Sequence, residues 1–359
     1  MMRFKIILLI LLTGLQGLYA QDYFNKKENQ NRRHLVIVHP TRSNLERYSF
    51  LIDEGILDPG NLKLVGLYFE AEEYDYDNII EDFPDFGFHE IPGKISLKDI
   101  FRENSASDEF NKVFKYSKGI IFNGGPDIPP AIYGEEMSTL TIVKDPYRHY
   151  YEVSFLFHLL GSSRNEDFKP LMRKRPIYSV LGICLGMQTM NVATGGDLIQ
   201  DIPSEVYNMN FIERIVEMDP DLQHRNYFNN LSLFPEIRSY FLHSIKILPG
   251  RWLDNEIDNT INLTPSVFSS HHQAVDKPGK DFRIAATSMD GKIIEAIEHT
   301  RYPNVFGIQF HPEVDYLYQD EKKYKFLPYG EDFSLRDKLI EKNSMDFHLQ
   351  FWRAFSNTL

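Results

Sequence analysis

The sequence predicts a single three-layer α/β domain built on a largely parallel central sheet. Short apolar runs rich in β-branched residues recur along the chain, at "HLVIVHP", "LKLVGLYFE", "KGIIFNGG", "PIYSVLGIC" and "NVFGIQFHPE", as expected of strands buried on both faces. Helix-compatible segments stand between several of them, notably Ser43 to Ile56, Arg148 to Leu160 and Leu185 to Ala193, and strands alternating with helices make layered α/β domains. A chain of 359 residues with 42% hydrophobic and 14% aromatic content can bury a large core, and no repeat, low-complexity tract or composition shift marks a second domain.

The first stretch, "MMRFKIILLILLTGLQGLYAQ", has Arg3 and Lys5, an apolar run from Ile6 to Leu12, then small and turn-forming residues ending at Ala20. That layout predicts a secretory signal peptide over 1–20, with an apolar run too short for an ordinary membrane span. The expected product is exported, secreted or periplasmic, with no stable membrane insertion after cleavage; an uncleaved anchor is the alternative. The polar stretch 21–33 reads as a flexible N-terminal segment. The domain follows over 34–359, with an aromatic, charged excursion around 316–337 before a final helix in "SMDFHLQFWRAFSNTL", whose aromatic stripe is expected to pack the core.

A net charge of −12 argues against nucleic acid as a partner, because phosphate binding needs clustered cations to displace counterions. A small-molecule or peptide partner is expected, and a homodimer is one possible assembly. The acid-rich run "EAEEYDYDNIIEDFPD" lacks the glycine-centred spacing of a calcium loop and reads as a solvated face. The sequons at Asn230 and Asn262 would carry glycans only in a eukaryotic secretory route.

Cys184 is the only cysteine. An exported protein tends to pair its thiols, and this one has no internal partner. It is either a small buried hydrophobe or a nucleophile. In "PIYSVLGICLGMQTMN" a strand runs into Cys184 and a helix begins at once, so the thiol would sit on a sharp elbow above a helix N-terminus. There the helix dipole favours thiolate, and the Leu185 N–H points where an oxyanion would form. Gly182 and Gly186 flank the turn where a β-carbon would crowd the backbone.

A thiolate attacking an amide needs a proton carrier. In "FGIQFHPEVD" a strand-like run ends at His311-Pro312-Glu313, and residues two apart in extended chain point the same way. Glu313 can therefore orient His311, whose extended geometry Pro312 favours; the alternative on these three residues alone is an ordinary surface His-Pro-Glu turn. In "KGIIFNGGPD" a strand ends in Asn123-Gly124-Gly125, and paired glycines can present N–H groups to an oxyanion as well as form an ordinary turn.

These motifs, with "ATGGDLIQDIP", "SSHHQAVDKPG" and "DGKIIEAIEH", resemble the class I glutamine amidotransferase superfamily. Within it the likeness is to the stand-alone γ-glutamyl hydrolases, the γ-glutamyl-γ-aminobutyrate hydrolase-like cysteine peptidases, and it runs from about His34 to Glu313. The resemblance implies a flavodoxin-like class I amidotransferase fold with Cys184 as nucleophile, His311 as general acid/base and Glu313 as orienting partner. Gly124 or Gly125 with Leu185 would supply the oxyanion N–H groups. Gln188 would touch the glutamyl group, Ser270 and His271 are contact candidates, and His272 is structural. The resemblance further implies a small-molecule γ-glutamyl substrate, an amine or peptide amide, cleaved without a metal or organic cofactor. "DPYRHYYE" departs from the family by placing His149 where an acidic residue is usual, read as a surface contact in preference to a change of substrate choice. Export is a second departure, since the γ-aminobutyrate-linked members are typically cytosolic, and it leaves the leaving group open. Folate poly-γ-glutamate hydrolysis, glutaminase partnership with a synthetase, and non-catalytic binding are the rival readings.

Overall fold

Twelve strands among the described residues form one sheet, ordered β3-β2-β1-β4-β5-β12-β11-β10-β7-β8, with a β6–β9 pair attached to β11. In the computed structural model, residues 22–231, 233–256 and 263–359 are described. The signal-peptide expectation at 1–20 and the sequon asparagine at 262 lie outside them. The strands are β1 (His34–Val38), β2 (Lys63–Phe69), β3 (Gly87–Ile91), β4 (Gly119–Phe122), β5 (Ser179–Ile183), β6 (Leu198–Ile199), β7 (Phe241–Ile247), β8 (Ser266–Ser269), β9 (Ala274–Val275), β10 (Phe282–Ser288), β11 (Ile294–His299) and β12 (Val305–Ile308).

From β3 to β12 every ladder is parallel. Beyond β12 the sheet turns antiparallel through β11, β10, β7 and β8. The five apolar runs read from the sequence are all in the parallel part. The principal helices are α1 (Arg42–Asp53), α2 (Ser107–Tyr116), α3 (Pro146–Leu160), α4 (Leu185–Ala193) and α5 (Met345–Asn357).

Side-chain alternation along the strands builds two cores. Val36, Val38, Ile120, Phe122 and Val180 face one side, under α2, α3 and α4. Leu35, Ile37, Ile121, Leu181 and Ile183 face the other, under α1 and α5, where Phe347, Phe351, Trp352 and Phe355 of the C-terminal aromatic stripe are fully buried. The result is the three-layer α/β sandwich that the sequence predicts.

The segment before β1 corrects the expectation of flexibility. Tyr23–Asn25 and Lys27–Asn29 form single 3₁₀ turns. Phe24 is fully buried, with its ring edge-on to His34 and His89, and the Tyr23 hydroxyl lies 3.2 Å from His34 Nε2. Two aromatics in an otherwise polar run anchor it against β3 and so cover an exposed sheet edge.

The excursion after Glu313 contains a short antiparallel pair, β13 (Lys323–Tyr324) with β14 (Phe333–Ser334). Leu317, Tyr324, Leu335 and Leu339 pack there with Leu242 of β7, Phe268 of β8 and Val314. Among the described residues no helix is long and apolar enough to cross a membrane.

Candidate active site

β5 ends at Ile183, and Cys184 follows with φ 53° and ψ −106°, immediately before α4. Few non-glycine residues adopt such backbone, and it costs on the order of 1–3 kcal/mol. Neighbouring bonds hold it. The Cys184 N–H donates to the Ile308 carbonyl at 2.7 Å, and the Cys184 carbonyl accepts from Met187 and Gln188 N–H at 3.0 and 3.2 Å. A β-carbon on Gly182 would lie 2.6 Å from the Gly186 carbonyl, and one on Gly186 would lie 2.1 Å from the Phe122 oxygen. Both positions therefore need glycine for the elbow to close.

β12 lies beside β5 and carries the chain to His311, whose N–H is fixed by the Phe268 carbonyl at 2.8 Å. The imidazole Nδ1 is 2.7 Å from Glu313 Oε1, which leaves the opposite ring nitrogen available to the neighbouring Cys184 sulfur. Burial works against a charged His311, but the oxygens of Tyr240 and Glu313 and the Cys184 sulfur outweigh it and hold the imidazole well above its ordinary range. Burial likewise opposes the Glu313 carboxylate, yet His311, and Arg47 at 3.3 Å, hold its pKa below the usual value. Cys184, His311 and Glu313 thus come together as their spacing predicts, nearly enclosed at 6%, 5% and 3% exposure.

Gly124 borders the pair: a β-carbon there would lie 2.9 Å from His311 Cε1 and 3.7 Å from Cys184 Cβ. The loop is fixed by residues that the sequence reading missed. Asn123 donates to the Val38 carbonyl at 2.7 Å and accepts from the Tyr48 hydroxyl at 2.6 Å. From α3, buried Arg148 donates to the Asn123 and Gly124 carbonyls at 3.3 and 3.1 Å and pairs with Glu152 at 2.7 Å. In a trans peptide the N–H points opposite to the carbonyl, so the N–H groups of Gly124 and Gly125 are turned away from Arg148. The Leu185 N–H, first of α4, has no acceptor within its helix.

Other predicted residues sit differently. Gln188 is one step removed from the thiol: its amide donates to the Gln273 carbonyl at 3.1 Å and to Gln309 Oε1 at 3.2 Å, and Gln309 Nε2 in turn approaches Cys184 Sγ at 3.5 Å. Ser270 bonds Ser239 at 2.8 Å. His271 is a correction. Its ring turns into the interior beside His224, His243 and Glu295, so it is no contact candidate, because neighbours in extended chain face opposite sides. His272 takes the other side, between Asp127 at 3.1 Å and Asp201 at 3.2 Å, and so ties the end of the glycine loop to the segment after β6. His149 is a second correction: it is fully buried in α3, and burial drives its pKa far down, so it makes no surface contact.

A thiol on a helix N-terminus, an imidazole–carboxylate pair and oriented backbone amides can together carry out acyl transfer. The Peptidase C26 family pattern matches residues 100–313, a span that includes Cys184, His311 and Glu313. The chain belongs to the Peptidase C26 family. Among relatives of this C26 member, a glutamine amidotransferase-like protein of Rickettsia prowazekii is 30% identical over 227 residues, 58% of this chain and 74% of that one. The gamma-glutamyl-gamma-aminobutyrate hydrolase of Escherichia coli O157:H7 is 27% identical over 196 residues, 54% of this chain and 63% of its own. Across the first three curated relatives, the C26 chain spans 50 to 74% of the other protein's length. A solved glutamine amidotransferase from Thermotoga maritima aligns over 91% of this chain and 98% of its own, with 14% identity and a TM-score of 0.38.

Proposed function

We propose that the protein hydrolyses γ-glutamyl amides by covalent catalysis. The observation that carries this reading is Cys184 on a strand–helix elbow beside a His311–Glu313 pair in contact at 2.7 Å, with Gly124 bordering both the thiol and the imidazole. The Cys184 sulfur attacks the γ-carbonyl carbon and a C–S bond forms. The oxyanion is received by the N–H groups of Gly124 or Gly125 and Leu185. His311 gives its proton to the departing nitrogen, the C–N bond breaks, and a γ-glutamyl thioester remains. Water then attacks that carbon while His311 takes its proton, the C–S bond breaks, and glutamate leaves with Cys184 again a thiolate. Arg148 is a positioning residue, acting through the two loop carbonyls. Residues 1–20 are proposed to direct export to the periplasm or the exterior.

One observation favours a second reading, a folate-type poly-γ-glutamate substrate. A cavity of about 230 Å³ beside the site is lined by Arg47, Arg238, Tyr240 and Tyr316, with Glu46 and the paired Lys322 and Asp315 also on its wall, and the Tyr240 ring stands edge-on to His311 at 5.2 Å. Cations and flat rings there suit a leaving group that carries carboxylates.

Purified chain assayed with γ-glutamyl-p-nitroanilide is expected to release glutamate and p-nitroaniline, and Cys184→Ala to release neither. Wild-type turnover by Cys184→Ala would refute the mechanism. Comparing kcat/KM for γ-glutamyl amines with that for polyglutamylated folate separates the two substrate readings.

A further inference from the structure

His224, His243, His271 and Glu295 converge at one buried point in the antiparallel wing. His243 comes from β7, Glu295 from β11, His271 from just past β8, and His224 from the loop that precedes β7. One ligating atom from each falls within 4.8 Å of all the others, and none of the four residues is more than 3% exposed. We propose that they form a closed four-ligand zinc site.

The polar atoms are placed for a shared cation rather than for one another. Imidazole nitrogens of His224, His243 and His271 lie 3.0, 3.7 and 3.8 Å from Glu295 oxygens. Ligands bonded tetrahedrally to zinc at about 2.0–2.1 Å stand roughly 3.3–3.4 Å apart, so small rotations close the set. Yet both Glu295 oxygens, both His224 nitrogens and His271 Nε2 make no hydrogen bond. The 3.0 Å contact has the length of a hydrogen bond without its direction. A fully buried carboxylate without a donor is costly, and a cation at the point of convergence removes that cost.

Of the outer contacts, that of His271 fits, while His243 Nδ1 makes no hydrogen bond. His271 Nδ1 lies 2.9 Å from the Gln273 carbonyl, which fixes the proton there and leaves the Nε2 lone pair facing Glu295, the arrangement usual for metal-bound imidazole. Ser269 Oγ touches His243 Nε2 at 3.3 Å, a contact long enough to yield. A histidine–glutamate ion pair is the competing account, but such a pair would hydrogen-bond its carboxylate, and here neither Glu295 oxygen makes a hydrogen bond although three imidazoles surround it. Three nitrogens and one oxygen in a dry, closed site suit zinc in a structural role, with no open position for substrate.

The site would brace the catalytic strand. The Gln309 N–H donates to the Glu295 carbonyl at 2.8 Å, and Gln309 approaches Cys184 Sγ. The inference stands apart from the proposed reaction, since metal content is read without substrate.

The test is elemental analysis of the full chain purified without added metal, with Glu295→Gln and His271→Asn alongside. About one zinc per wild-type chain is expected, with at least a roughly tenfold drop in each variant. Should the variants fail to fold, wild-type protein stripped with a strong chelator serves instead: its Tm is expected to fall and to be restored by zinc but not by magnesium. The proposal is overturned by wild type that holds no transition metal and whose Tm does not respond to zinc, by zinc retained in folded Glu295→Gln and His271→Asn alike, or by one equivalent of a metal other than zinc.

Discussion

Two histidine–glutamate groups lie on adjoining strands of one sheet, equally buried, and burial acts on them with opposite net results. His311 faces one carboxylate, backed by Arg47 and set beside a thiol, and is held well above its ordinary pKa. His224, His243 and His271 share a single carboxylate and are pushed down to about 4, 4 and 3. Exposure does not separate the groups, because all four imidazoles are at most 5% exposed. The charges around each ring do: the Glu313 carboxylate and the Cys184 sulfur beside His311 outweigh its burial, whereas burial dominates at the three rings around Glu295.

The largest break in this contrast comes from the reacting pair itself. Cys184→Ala or His311→Ala is expected to lower kcat on γ-glutamyl-p-nitroanilide by about 10⁴-fold or more, with circular dichroism unchanged. Glu313→Gln removes the compensating charge with little change of shape. Its kcat is expected to fall roughly 10²- to 10⁴-fold, with the His311 pKa dropping toward that of the interior histidines, as imidazole NMR would read. Arg148→Met lets the glycine loop turn and leaves Glu152 unpaired. Roughly a 10²- to 10³-fold loss in kcat is expected, together with destabilisation of about 3–5 kcal/mol by urea unfolding. Adding Glu152→Met should recover stability without recovering rate, which distinguishes a positioning role from a purely structural one.

The smallest effect tests burial without compensation. His158 and His348 are buried and lowered to about 4 by desolvation. A depressed histidine contributes stability that is present above the unfolded value near 6.5 and lost as pH falls toward 4. Each should steepen the acid limb of a stability–pH curve by up to about 1.4 kcal/mol per pH unit, and His348→Asn should flatten it by one such increment.

What was legible in the sequence follows the same physics. The parallel strands other than edge strand β3 read clearly because burial on both faces leaves unbroken apolar runs. β3 ("GFHEI") and β10 ("FRIAATS") carry polar residues toward half-exposed positions and lack that signal. Cys184, His311 and Glu313 were legible because an elbow and an i, i+2 relation are local. Gln309, two residues before His311, follows the same alternation and could have been read from it. Arg148, Arg47 and Tyr48 could not, since they reach the site from helices distant in sequence. At "SSHHQAV" alternation says that His271 and His272 face opposite ways without saying which faces inward. Segment 21–33 misled because its polar composition hid two anchoring aromatics.

The most direct test of the central claim is intact-mass spectrometry of the protein quenched in acid during turnover of γ-glutamyl-p-nitroanilide. A single γ-glutamyl adduct on Cys184, absent from Cys184→Ala and accumulating in a variant slowed in deacylation, is the expected result. Continued turnover by wild type with Cys184 unmodified at every time point, matched by turnover in Cys184→Ala, would contradict it.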